Sequence, residues 1–107
     1  MSDATTLAVT GWKKHLEMRG YYSKAARSAQ EPVQVFLNDQ GLEIYFLSNV
    51  GKVAVFLEGD GEKLYQRDVD SVIEKTVFIN LSEFEEGQYT LKIINDKGEC
   101  LTGEFIR

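Results

Sequence analysis

Val33-Gln34-Val35-Phe36-Leu37-Asn38-Asp39-Gln40-Gly41-Leu42-Glu43-Ile44-Tyr45-Phe46-Leu47 is the stretch that decides the fold. Apolar and polar residues alternate through it with period two, and Asp39-Gln40-Gly41 interrupts the run as a tight turn. Val33, Val35 and Leu37 fall on one face of the first segment, and Leu42, Ile44 and Phe46 on one face of the second. The reading is a hairpin of half-buried strands.

The pattern continues to Arg107 at roughly ten-residue spacing, with a turn signal in nearly every gap. Lys52–Glu58 turns Val53, Val55 and Leu57 inward. Gly59-Asp60-Gly61 closes a hairpin, because glycine and aspartate tolerate the positive φ such turns require. Glu62–Val69 is more polar and reads as an edge strand, its charges discouraging aggregation. Lys75–Leu81 places Val77, Ile79 and Leu81 on one face, and Gly87–Ile94 does the same with Tyr89, Leu91 and Ile93. Asn95-Asp96-Lys97-Gly98 turns the chain into a last strand, Glu99–Ile106. The fold class expected is all-β: an antiparallel β-sandwich of about seven strands over residues 31–107.

Residues 1–30 read as an irregular extension packing on that sandwich. Leu7 and Val9 have strand spacing. Trp12 and Leu16 have helical spacing, so a turn of helix followed by an excursion loop is expected, with Gly20, Tyr21, Tyr22 and Ser23 interrupting any continuation. Ala25–Ala29 is left open between helix and disorder. Glu31-Pro32 then forces an extended approach to the first sandwich strand, since the residue before proline avoids the helical region.

The corner Leu81-Ser82-Glu83-Phe84-Glu85-Glu86-Gly87-Gln88-Tyr89 predicts a crossing between sheets. Ser82 and Glu85 have the spacing of a capping box on one helical turn. Tyr89 resembles the tyrosine corner of immunoglobulin-like sandwiches, whose hydroxyl bonds back to the preceding loop.

Composition narrows the function. A chain of 107 residues buries roughly two-thirds of its unfolded surface, enough for one core without staples. Residues 1–30 hold five basic and two acidic residues, and residues 31–107 seven basic and fifteen acidic, for a net charge of −5. The acidic body repels phosphate backbones and anionic membrane, so nucleic acid is excluded as a partner. Lys13, Lys14, Arg19, Lys24 and Arg27 form a basic segment that offsets the acidic body. No segment approaches the ~18 apolar residues of a membrane span, so no insertion is expected. The N-terminus lacks a basic and apolar leader, which fits a cytosolic protein or one whose export signal has been removed.

The turns and strands together resemble a known family. Val50-Gly51-Lys52-Val53-Ala54-Val55, then Gly59-Asp60-Gly61, then Leu64-Tyr65, then Leu81 to Gly87-Gln88-Tyr89-Thr90-Leu91, and the closing Leu101-Thr102-Gly103-Glu104-Phe105 carry the resemblance. It is to short exported proteins of unknown function from gut anaerobic bacteria, with an immunoglobulin-like β-sandwich, and it covers about residues 31–107. It implies an extracellular or periplasmic location and no particular activity. The same span is similar, more distantly, to the C-terminal sorting domains of type IX secretion cargo. Glu31-Pro32-Val33 and the ending Glu104-Phe105-Ile106-Arg107 depart from that second pattern.

Chemistry-bearing residues are few. Cys100 is the single cysteine, so an intrachain disulfide and a site with paired thiolates are excluded, and a packed or half-buried thiol is expected. His15 is the one histidine and lies far from Cys100 in sequence. Carboxylates gather at turns: Asp60 with Glu62, Asp68 with Asp70, and Glu83 with Glu85 and Glu86. Calcium needs six to eight oxygen ligands from one folded loop, and glycosidase chemistry needs two carboxylates facing a cleft. Neither pattern is present, nor a nucleotide or paired-histidine motif. The chain reads as no enzyme, without cofactor or metal. Asp70-Ser71-Val72 matches a short O-glycosylation pattern of some gut anaerobes.

Alternation sends Phe36, Tyr45 and Phe78 to the face opposite the core. In an immunoglobulin-like order their strands share one sheet, and the rings form a stripe on its outside. The expected cover is the N-terminal segment, through Trp12, Leu16, Tyr21 and Tyr22. Left bare, the stripe is the candidate ligand-binding surface for a sugar or a protein. The function expected is an exported, non-enzymatic binding or adhesion module contacting protein or glycan at the cell envelope. The alternative is a sorting or structural accessory domain of a secretion system.

Overall fold

A computed structural model describes residues 12–20 and 31–107. The strand expected around Leu7 and Val9, the Ala25–Ala29 segment, and Tyr21 and Tyr22 lie outside the described residues. Nine strands occur among those described: β1 (Lys13–Leu16), β2 (Arg19–Gly20), β3 (Val33–Asn38), β4 (Gly41–Phe46), β5 (Lys52–Gly59), β6 (Glu62–Asp70), β7 (Thr76–Asn80), β8 (Gln88–Asn95) and β9 (Cys100–Ile106). Antiparallel pairing gives a four-stranded sheet in the order β1-β3-β4-β7 and a five-stranded sheet in the order β2-β9-β8-β5-β6. The seven strands expected between residues 33 and 107 are all present, and the polar strand β6 is an edge.

The inward residues are those the alternation selected. Val35 and Ile44 of one sheet, and Val55, Leu57, Leu91 and Ile93 of the other, are fully buried in one cluster. Each such aliphatic side chain contributes roughly 1.5–3 kcal/mol on leaving water, which is what binds the layers.

Local chemistry sets the connections. Asn38 Oδ1 accepts from the backbone N–H of Gln40 at 2.8 Å and of Gly41 at 2.9 Å, closing the β3–β4 turn. Asp60 and Gly61 both have positive φ, 53° and 78°, as the β5–β6 hairpin requires. Gly41 is needed for a different reason. A Cβ there would lie 2.0 Å from the carbonyl oxygen of Ile79, so only glycine lets β4 lie against β7 at that point.

Two expectations are corrected. The helical turn at Trp12–Leu16 is instead strand β1, because Leu16 is buried in the core and the backbone pairs with β3, Leu16 opposite Val35. Tertiary pairing overrides the local spacing. The chain then leaves the four-stranded sheet through Glu17 and Met18 and joins the other sheet as β2, beside β9. Gly103 makes this crossing feasible, since a Cβ there would meet Met18 Sδ at 2.5 Å and the Glu17 carbonyl oxygen at 3.1 Å.

The second correction concerns the corner after β7. It crosses between the sheets as expected but forms no helical turn. Asn80 instead opens the corner as an Asx turn: its Oδ1 accepts from the Ser82 N–H at 2.8 Å, and Phe84 N–H donates to the Leu81 carbonyl at 3.0 Å. Tyr89 is a tyrosine corner. Its hydroxyl donates to the Glu85 carbonyl, and its ring stacks on Phe105 with centroids 5.7 Å apart. Arg107 closes the same corner, its Nε donating to the Phe84 carbonyl at 2.9 Å.

Two substitutions test this framework by chemical denaturation. Tyr89→Phe leaves the ring contacts and removes one hydrogen bond, and is expected to cost about 1 kcal/mol. Gly41→Ala forces β4 from β7 and is expected to cost about 2 kcal/mol or more. A wild-type midpoint in either variant would contradict the corresponding contact.

Candidate functional site

The outer face of the four-stranded sheet collects the predicted aromatic residues. Phe36 lies on β3, Tyr45 on β4 and Phe78 on β7, so the three do share one sheet. Strand register orders them into rows. His15, Phe36, Glu43 and Phe78 run across the four strands in one row, and Gln34, Tyr45 and Thr76 occupy the next. Phe36 meets Tyr45 edge-on at 5.8 Å between centroids, and His15 meets Phe36 in the same manner at 5.3 Å. Phe78 is 44% exposed, with Glu43 between it and Phe36 in the row. The stripe is thus a mixed surface with a carboxylate at its centre.

Glu43 is the hub. Its Oε1 accepts from the Tyr45 hydroxyl at 2.6 Å and pairs with Lys13 Nζ at 2.9 Å, while Oε2 accepts from Asn38 Nδ2. The Lys13 ammonium also lies 5.1 Å from the Phe36 ring centroid and 5.9 Å from that of Tyr45. These contacts shift all three ionisable groups. The Tyr45 hydroxyl, then Lys13, hold the Glu43 carboxyl below its ordinary value. The bond to Glu43 raises both the Tyr45 phenol and the Lys13 ammonium. The three groups stay in their neutral-pH forms over a wider range than usual.

Of the expected cover, Tyr21 and Tyr22 lie outside the described residues. Leu16 points into the core and cannot lie over the stripe, and Trp12 is 43% exposed. What borders the rings is β1 itself, through Lys13 and His15, and His15 Nε2 lies 3.3 Å from Glu31 Oε1. Sequence reading missed Lys13, His15, Asn38 and Glu43 as members of this face. Parity along β4 carried the signal for Glu43, which alternates with Leu42 and Ile44 and so must share a side with Tyr45.

Other candidates are placed apart. Cys100 is half-buried on β9, in the opposite sheet from His15, and burial pushes its thiol up. The two do not form a nucleophile and base. Among the described residues no group of three or more histidine, cysteine or acidic side chains could hold a metal. No described helix is long and apolar enough to cross a membrane. Ser71 does not fit the glycosylation pattern in the folded chain. It is 2% exposed, and its Oγ donates to the Gly51 carbonyl at 2.8 Å while accepting from Val50 N–H at 3.1 Å. A sugar on that oxygen would displace the donated bond and has no room.

Comparison with known proteins places the chain. It belongs to a family described as a domain of unknown function, DUF3244, whose sequence profile matches residues 15–106. A crystal structure of a DUF3244 family protein from Bacteroides vulgatus ATCC 8482, described as an immunoglobulin-like β-sandwich, is similar with a TM-score of 0.76. The identity is 21%, over 90% of this chain and 99% of that one. The fold is accordingly an immunoglobulin-like β-sandwich, and the family is the one of unknown function from gut bacteria that the sequence resembles. No curated protein matches the chain.

The Glu43 network makes stability depend on acid. Because the folded carboxyl is held below the ordinary value of 4.5, the unfolded chain takes up its proton first as pH falls. The stabilisation is full above that value and is lost as pH drops through the lower folded value. Melting of wild type and Glu43→Gln from pH 7 to 3 is expected to show a gap that closes in that acid range. A gap independent of pH would contradict the network.

Proposed function

We propose that this DUF3244 domain is a non-enzymatic recognition module of an exported protein, and that it contacts protein or glycan at the cell envelope through the outer face of the β1-β3-β4-β7 sheet. The observation that carries the reading is the fixed arrangement of Phe36, Tyr45 and Phe78 around Glu43 on the side of the sheet that faces away from the core. Aromatic rings supply large contact area with little conformational entropy to lose, and a polar group set among them fixes orientation. Fold likeness alone assigns no activity, whereas this surface has a defined chemistry.

A non-enzymatic role fits the separation of His15 and Cys100 onto different sheets. Export fits the family resemblance, and the acidic body favours partners other than nucleic acid.

Phe36→Ser combined with Tyr45→Ser tests the reading on a glycan array and in pull-down from an envelope extract. The expected result is loss of binding with cooperative melting retained. Retained binding would place recognition elsewhere, and loss of the fold would assign the rings to packing.

A further inference from the structure

Three features of the outer face point to one ligand chemistry. The first is convergence. Two rings and one carboxylate oxygen face a single ammonium, at 5.1 Å and 5.9 Å to the ring centroids of Phe36 and Tyr45 and 2.9 Å to Glu43 Oε1. Electron-rich ring faces and a carboxylate together suit a compact organic cation.

The second is that the receptor side does not depend on its occupant. Tyr45 and Asn38 donate to Glu43 from β4 and β3, and Asn38 is itself fixed by its two turn hydrogen bonds. Phe36 and Glu43 are directly paired across that hairpin. The box is therefore built on one hairpin and stays formed when the ammonium leaves, so little ordering is required of an incoming ligand. Glu43 remains charged there because Tyr45, the larger of its hydrogen-bond partners, holds its proton affinity down.

The third is the nature of the occupant. Lys13 comes from β1, a four-residue edge strand, and its side chain is 47% exposed while that of Glu43 is 18% exposed. It reaches the box from the solvent side and can leave it without opening the core. A tethered lysine competes with free ligand at an effective concentration on the order of millimolar, so it sets a threshold that a weaker ligand does not cross.

We propose that Phe36, Tyr45, Glu43 and Asn38 form a lysine-binding box for a basic protein partner, and that Lys13 is its built-in competitor. The proposal rests on the recognition face above and names the ligand class of that face. A protein lysine is favoured as the source because the observed occupant is a lysine on an extended strand. The excess of acidic residues over residues 31–107, fifteen against seven basic, also attracts a basic partner.

The test uses the full chain as wild type and as Lys13→Met, which keeps the apolar stem and removes the charge. Amide and aromatic NMR shifts are followed against the blocked tripeptide acetyl-Gly-Lys-Gly-amide, its ε-acetylated counterpart, and glucosamine. The expected result is binding of the lysine peptide by Lys13→Met at least tenfold tighter than by wild type, with shifts at Phe36 and Tyr45. The ε-acetylated peptide and glucosamine should bind no better than to wild type, and adding Glu43→Gln should abolish the gain.

Equal binding of the ε-acetylated peptide would overturn the proposal in favour of a plain apolar patch. Equal binding of glucosamine would overturn the protein source. No gain in Lys13→Met would reduce Lys13 and Glu43 to a structural pair. That last result leaves the recognition face standing if the Phe36→Ser and Tyr45→Ser chain still loses its envelope partner, so the two readings fail separately.

Discussion

The burial of Val35 and Ile44 from one layer with Leu57, Leu91 and Ile93 from the other decides the direction of nearly every side chain in the molecule. Once those residues face inward, period two leaves Phe36, Glu43, Tyr45 and Phe78 no place except the outer surface. The recognition face is thus a by-product of core packing, and its geometry is as rigid as the register of β3, β4 and β7. A slip of one residue in β4 would bury Glu43 and expose Ile44. The hydrogen bonds of the Asn38 turn and the close approach at Gly41 prevent that slip from opposite sides of the same strand.

The strands of residues 33–107 were legible because each has one wet and one dry face, and the sequence records that difference directly. β6 was legible as an edge because Glu62, Lys63 and Asp68 cannot be enclosed between neighbours. The tyrosine corner was legible because Tyr89 follows a turn at a recognisable distance. The N-terminal arm was not. Trp12 and Leu16 have a spacing that fits a helix, and nothing in a four-residue segment shows that its backbone will be claimed by β3. Ser82 has the chemistry of a cap, yet its own N–H is held by Asn80 Oδ1 and the Phe84 N–H goes to the Leu81 carbonyl, so the corner forms as turns.

The site was half visible for a related reason. Its rings come from strands whose alternation is plain, whereas its charge comes partly from the arm. Lys13 belongs, on composition, to a solvated basic segment. Only pairing with β3 brings it beside Phe36 and opposite the carboxylate on β4. Ser71 shows the converse, a residue with the local context of an exposed modification site whose hydroxyl is enclosed by the loop before β5.

The arm divides its two strands between the two layers, with Gly103 leaving the gap through which it passes. This has a mechanical meaning. Tension entering from the N-terminal side meets the β1–β3 pairing and then the β2–β9 pairing. The domain accordingly meets a pull at that end with a clasp across both faces, in series, rather than with the unzipping of a single outermost strand.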